Sequence, residues 1–295
     1  MNEKVRVFCV RTASATVYAA LFLGAIFCGH IFGSPVLGGI VLTTFALFVA
    51  LGCTFEYYRI AQMQGFRPNK VLGYVCVTLV VSGLGLAPAV SAYDSEEAIF
   101  VMVAMMTLLA AVVCFLAVPS ALVAELWRQS DHPFADAMQT LLPVVYCAVP
   151  LGFMPYLNTE GIDIMCMCVV LVWVNDSFAY MGGSLFGKHK MWSRHSPGKT
   201  WEGGFTGLLG CLLVAYFVGP VLSMHSSCVL WLILGVVCSV AGTLGDYVES
   251  MLKRSVGIKD SGNIMPGHGG FLDRFDSLLM IIPFAVLISF FIGLF

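Results

Sequence analysis

Apolar runs of about 20 residues, separated by short polar stretches, recur from one end of the chain to the other. They fall near 12–32, 35–55, 71–92, 98–118, 137–157, 162–186, 203–222, 228–249 and 271–294. As a helix rising about 1.5 Å per residue, each run can cross a hydrocarbon core of about 30 Å. The pattern predicts an all-α, polytopic integral membrane protein of about nine transmembrane helices. The fifth run holds Pro143, Pro150 and Pro155. Proline removes a backbone donor, so this helix is expected to bend where neighbours cover the freed carbonyls.

Composition agrees. Of 295 residues, 59% are hydrophobic and 11% charged, against about 25% charged in an ordinary soluble domain. Mean hydropathy is +0.91. The net charge of −2 is silent on partners, and nothing points to nucleic acid; the partner that the composition demands is a lipid bilayer.

The placement of charge is more telling. All fifteen lysines and arginines fall in five places: Lys4, Arg6 and Arg11; Arg59, Arg67 and Lys70; Arg128; Lys188, Lys190, Arg194 and Lys199; Lys253, Arg254, Lys259 and Arg274. With nine spans and a cytoplasmic N-terminus, every one of these segments faces the cytoplasm, as the positive-inside rule requires. The first run also fits a secretory signal, but no small-x-small cleavage site follows it, so it is read as a retained anchor. Four N-terminal spans fill residues 1–135. Five more fill 136–295, with cytoplasmic loops at 187–202 and 250–270. The eleven cysteines form no CxxC pair and no cluster with zinc spacing, which makes them apolar fillers.

Ionisable groups inside lipid are costly and mark sites or pathways. Here they are expected only in the C-terminal half and at one side of the membrane. The sixth span carries Asp176, the eighth ends with Asp246 and Glu249, and the ninth opens with Asp273, Arg274 and Asp276. Asp246, Glu249 and Ser250 share one helix face, and Asp273 and Asp276 share another. Two helices presenting carboxylates to each other suit a hard divalent cation such as Mg²⁺, which takes one or two carboxylates and fills its remaining positions with water and phosphate. The plainer reading of any single carboxylate is an interfacial ion pair, for instance Glu249 with Lys253 one turn on.

Between the last two spans lies "GNIMPGHGGFLDR", with Gly262, Gly267, Gly269 and Gly270 around His268. Glycine lets backbone N–H groups approach a ligand closely, and a following helix N-terminus adds free donors and partial positive charge. With Lys253, Arg254, Lys259 and Arg274 nearby, the loop suits polyphosphate. The other basic loop, "GKHKMWSRHSPGKTWEGG", contains "SPGKT" but lacks the full P-loop spacing and a preceding strand. It offers Lys199 and Thr200 to phosphate in another setting.

These residues carry a resemblance. Ser250-Met-Leu-Lys253-Arg254, Lys259-Asp260, His268-Gly269-Gly270 and Asp273-Arg274-Phe275-Asp276 together resemble the signature of phosphatidate cytidylyltransferases. The stretches "SPGKTWEG" and "NDSFAYMGGSLFGK" are similar to two further segments of that family, and Gly198 departs from it where a lysine is common. The resemblance covers the C-terminal 120 or so residues.

It implies a membrane nucleotidyltransferase that joins CTP and phosphatidic acid into CDP-diacylglycerol and pyrophosphate, for phospholipid biosynthesis. By analogy, Asp246 and Asp273 ligate the metal, with Asp276, Asp260 and Glu249 in support. Lys253, Arg254, Lys259 and Arg274 bind phosphates, and His268 shapes the pocket. Ser196, Lys199, Thr200, Glu202, Asp176, Tyr180, Gly269 and Gly270 are the expected substrate contacts. The expected cofactor is Mg²⁺, with a second ion, divalent or K⁺, left open, as is a homodimer. The expected place is the bacterial plasma (inner) membrane, with the active site facing the cytoplasm. Alternatives are another CTP-dependent lipid enzyme, such as a polyprenol kinase, and a secondary transporter; against the latter, no internal repeat is evident.

Overall fold

A computed structural model describes residues 3–90, 96–159, 162–222, 227–262, 264 and 269–292. The helices are α1 (Glu3–Ile31), α2 (Pro35–Met63), α3 (Lys70–Val90), α4 (Glu96–Arg128), α5 (Pro133–Pro143), α6 (Val149–Thr159), α7 (Ile162–Phe186), α8 (Trp201–Leu222), α9 (Cys228–Ser255) and α10 (Leu272–Ile292). Among the described residues, eight helical spans are long and apolar enough to cross a membrane, with α5 and α6 counted together. The ninth predicted run is a helix as well, the 21 residues of α10. The protein is an all-α, polytopic membrane protein.

Helix ends follow local chemistry. Pro35 opens α2, where a fixed φ suits the first turn, and the Ser34 hydroxyl accepts from the Leu37 N–H. The α9 helix runs past its predicted end at residue 249 to Ser255, with Lys253 and Arg254 in its last turn. Positive charge is favourable there, beside the unpaired carbonyls. The fifth predicted run is continuous but irregular: a π turn, Val144–Ala148, joins α5 to α6. Pro143 stands at its edge, and the Val144 N–H donates to the Leu141 carbonyl, leaving that of Thr140. The Tyr58 hydroxyl donates to the Thr140 carbonyl at 2.8 Å, so the freed acceptor is satisfied from α2.

The chain divides into two compact units: Met1–Thr159 with Ser255–Arg274, and Glu160–Arg254 with Phe275–Phe295. In the first, α2 packs on α1, α3 and α6, and α3 on α4. Leu42, Ala46, Val49 and Cys53 form the buried face of α2 at helical spacing. The outward side is just as apolar, with Leu108 at 63% and Phe115 at 80% exposure on α4. Water penalises such a surface and hydrocarbon does not. In the second unit α7 lies along α8, close enough that a Cβ on Gly207 would sit 2.7 Å from the Asn175 side-chain oxygen.

Candidate active site

In the second unit, α7, α8, α9 and the loop before α8 enclose a cavity of about 460 Å³. The loop is held shut by side chains and backbone. Lys190 and Thr200 form an antiparallel bridge, and the Trp201 N–H donates to the His189 carbonyl at 2.9 Å. Glu202 accepts from the N–H groups of Lys188 and His189 at 3.2 Å and meets the His189 ring Nδ1 at 2.6 Å. Thr200 is buried and its hydroxyl accepts the Gly203 N–H at 3.2 Å, capping α8. This closure delivers Lys199 to the cavity wall.

Asp176, Tyr180, Lys199, Thr200 and Asp246 all line that cavity. Lys199 forms an ion pair with Asp246, and its ammonium stands 4.7 Å from the centre of the Tyr247 ring. That contact adds cation–π attraction to the pairing. The wall between α7 and α9 is pinned by Asn175, which accepts from the Ser239 hydroxyl at 2.8 Å and donates to the Thr243 hydroxyl at 3.3 Å. Of the other predicted substrate contacts, Ser196 lies within the loop and Glu202 ties it together; neither lines the cavity.

Below this wall the carboxylates gather. Asp246, Glu249 and Asp276 each offer an oxygen, all within 4.8 Å of one another. The first two sit one turn apart on α9, and Asp276 comes from α10. The helices meet closely because residue 245 is glycine: a Cβ there would lie 3.0 Å from the Asp276 carbonyl carbon. The Ser250 hydroxyl donates to Asp246 at 3.2 Å, and the Ser277 N–H to Asp276 at 2.7 Å. Lys253 pairs with the buried Glu249, the i, i+4 pair that helical spacing allows. Three carboxylates thus stand against two ammonium groups, Lys199 and Lys253, and a set of hard oxygen donors so spaced fits a divalent cation.

Asp273 is used differently. In the first unit its Oδ2 accepts from the Ser261 N–H at 2.9 Å and from the Gly270 N–H at 2.7 Å, and lies 2.9 Å from the Ser261 hydroxyl. Gly269 has φ +79°, a conformation open to glycine, and this lets the chain fold back onto that carboxylate. Arg254, Lys259, Asp260 and Arg274 are exposed. His268 lies outside the described residues.

Glu56 is the residue that sequence reasoning missed. The expectation that membrane-embedded charge is confined to the C-terminal half is corrected here: Glu56 is 1% exposed, and Glu125 and Asp136 are buried in the same N-terminal unit. The physical reason is that hydropathy falls off at Glu56, so the second run closes at residue 55, whereas α2 continues to Met63. The signal was present, since an acidic side chain that closes an apolar run invites the question of what satisfies it.

Comparison with known proteins gives this geometry a lineage. Residues 9–292 match the cytidylyltransferase family. The chain belongs to that family. A Staphylococcus epidermidis protein named phosphatidate cytidylyltransferase is 45% identical over 152 residues, covering 51% of this chain and 58% of its own. Proteins of the same name from Staphylococcus aureus and Staphylococcus saprophyticus are 44% identical over 158 residues and 40% over 150, with the same coverage of each chain. The chain thus spans 58% of the length of these curated relatives. The resemblance read from the signature residues and the family match agree.

Proposed function

We propose that this chain transfers the cytidylyl group of CTP to phosphatidic acid, giving CDP-diacylglycerol and pyrophosphate. The observation that carries the reading is the triad of Asp246, Glu249 and Asp276, of which Asp246 lines the cavity and pairs there with Lys199, in a member of the cytidylyltransferase family. In the reaction a phosphate oxygen of the lipid attacks the α-phosphorus of CTP. A new P–O bond forms, the bond between α-phosphorus and bridging oxygen breaks, and pyrophosphate leaves with the electron pair. The nucleophile arrives ionised, so no general base is needed. Positioning two anions in line and balancing their charge is the main task.

Lys199 serves that task by exchanging its pairing with Asp246 for a phosphate oxygen of CTP. Asp246, Glu249 and Asp276 would hold Mg²⁺, which supplies positive charge to the polyphosphate. A second, apolar groove of about 240 Å³ runs between Trp192, Trp201, Phe205 and Leu244, and shares Met191, Gly204 and Thr243 with the cavity that Lys199 and Asp246 line. It suits the glycerol and acyl end of the lipid. The relatives named above are bacterial, and with the positive-inside pattern they support a plasma-membrane enzyme whose cavity opens to the cytoplasm.

The test is purified protein in lipid nanodiscs, supplied with phosphatidate, Mg²⁺ and CTP labelled at the α-phosphate. Label in CDP-diacylglycerol, with pyrophosphate released in equal amount, is the expected result. Label recovered as CDP would show transfer or hydrolysis of the γ-phosphate instead, and either that result or label left in CTP would contradict the proposal.

A further inference from the structure

Glu56 is a buried acid that the proposed reaction leaves unused. Its Oε1 accepts the Phe271 N–H at 2.9 Å, and its Oε2 accepts the Leu272 N–H at 2.9 Å and the Ser261 hydroxyl at 2.7 Å. Amides at a helix start find no carbonyl within their own helix, so a carboxylate reaching across from α2 satisfies the opening of α10. The fit leaves no spare volume: a Cβ on Gly262 would lie 2.9 Å from the Glu56 carboxyl carbon. The Phe271 ring is fixed at the same place, meeting Phe48 of α2 edge-on with centres 5.3 Å apart.

The contact extends one step further. The Ser261 hydroxyl stands 2.7 Å from Glu56 Oε2 and 2.9 Å from Asp273 Oδ2, while the Ser261 and Gly270 N–H groups also donate to Asp273. Glu56, Ser261 and Asp273 therefore form one chain of acceptors and donors, closed on both sides by backbone amides. The one hydroxyl proton of Ser261 lies between the two carboxylates and links them, while the backbone amides fix each carboxylate in place. Every member lies in the first compact unit.

We infer that Glu56 is a positioning residue for this loop: from α2 it fixes the start of α10 and, through Ser261, the orientation of Asp273. The proposal gives the N-terminal helices a part in activity, since the loop they anchor is the one bearing the signature residues. Its effect on turnover rests on the cytidylyl-transfer reading; its effect on the loop does not. Glu56→Gln keeps size and shape but turns an NH₂ group towards amides that need an acceptor. Glu56→Asp keeps the charge and draws it back by one methylene. Ser261→Ala removes the shared hydroxyl and leaves both Glu56–amide bonds in place.

Each variant is purified in nanodiscs and examined by amide hydrogen exchange, thermal unfolding and steady-state kinetics. In Glu56→Gln the amides of 269–272 exchange faster while those of α7 and α8 keep their protection. Its kcat falls about tenfold or more with KM for CTP within about threefold of wild type, and Tm shifts by only a few degrees. Glu56→Asp recovers part of the rate, and Ser261→Ala loses about threefold to tenfold in kcat. Wild-type exchange at Phe271 and Leu272 in Glu56→Gln overturns the inference, as does a rate loss that merely follows a collapse in Tm. If Glu56→Gln does not fold, Ser261→Ala decides: unaltered kcat there overturns it. If the wild-type protein makes no CDP-diacylglycerol, the proposed function falls, and the exchange result alone still settles the loop.

Discussion

Glu56 and Asp273 in the first compact unit accept hydrogen bonds from backbone amides and a serine hydroxyl. Asp246 and Glu249 in the second pair with lysine side chains, and with Asp276 they crowd within 4.8 Å. Amide donors belong to the backbone and cannot leave, so they hold a carboxylate in place without cancelling its charge. An ammonium on a flexible four-carbon stem is a compact, exchangeable point charge. On the proposed function it balances the acidic cluster until a cation of higher charge or a phosphate takes its place. The first arrangement suits a scaffold, and the second suits the binding that the proposed function requires.

Substitutions in the two units should therefore fail differently. Asp246→Ala removes a carboxylate from the crowded set and the partner of Lys199. It should lower CTP-dependent CDP-diacylglycerol formation by at least about a thousandfold while the protein remains membrane-inserted and helical. The check is activity beside circular dichroism on the same preparation. A loss no larger than that of Glu56→Gln would erase the contrast between scaffold and binding groups.

Lys199→Ala tests the exchangeable partner. A charge-assisted contact contributes about 1.5–3 kcal/mol, so kcat/KM should fall about tenfold to a hundredfold, chiefly through a raised KM for CTP. A titration of rate against CTP separates this from a pure loss of kcat, which would place Lys199 in the transition state alone. Ser250→Ala sharpens the lower end. Its 3.2 Å bond to Asp246 is a long neutral-donor contact, and its loss should cost no more than about fivefold in kcat/KM. A larger effect would mean that hydroxyl donors, rather than charge, hold the cluster together.

Much of this was legible in the apolar and polar pattern. Runs of lipid-compatible length became helices, because a chain in hydrocarbon must satisfy its own backbone, and α7 matches the predicted 162–186 at both ends. Helical spacing put Asp246 and Glu249 on one face, and the structure adds Asp276 to them. Three features were out of reach for tertiary reasons. Glu56 stays helical and buried because amides more than 200 positions away need it. Glu202 reads as a substrate contact in isolation, but the fold spends it on the amides of Lys188 and His189. Asp273 and Asp276 look equivalent one turn apart, yet a serine and two glycines fold back onto the first, while the second meets α9 opposite Gly245.

A divalent cation held by the triad is central to the proposed cytidylyl transfer, and the most direct measurement is the Mg²⁺ dependence of CDP-diacylglycerol formation in wild type and Asp276→Asn. Asparagine preserves shape and removes one negative charge, so the variant should need at least about tenfold more Mg²⁺ for half-maximal rate and should regain activity as Mg²⁺ rises. Identical Mg²⁺ curves for the two proteins, or full activity of wild type in excess chelator, would contradict it.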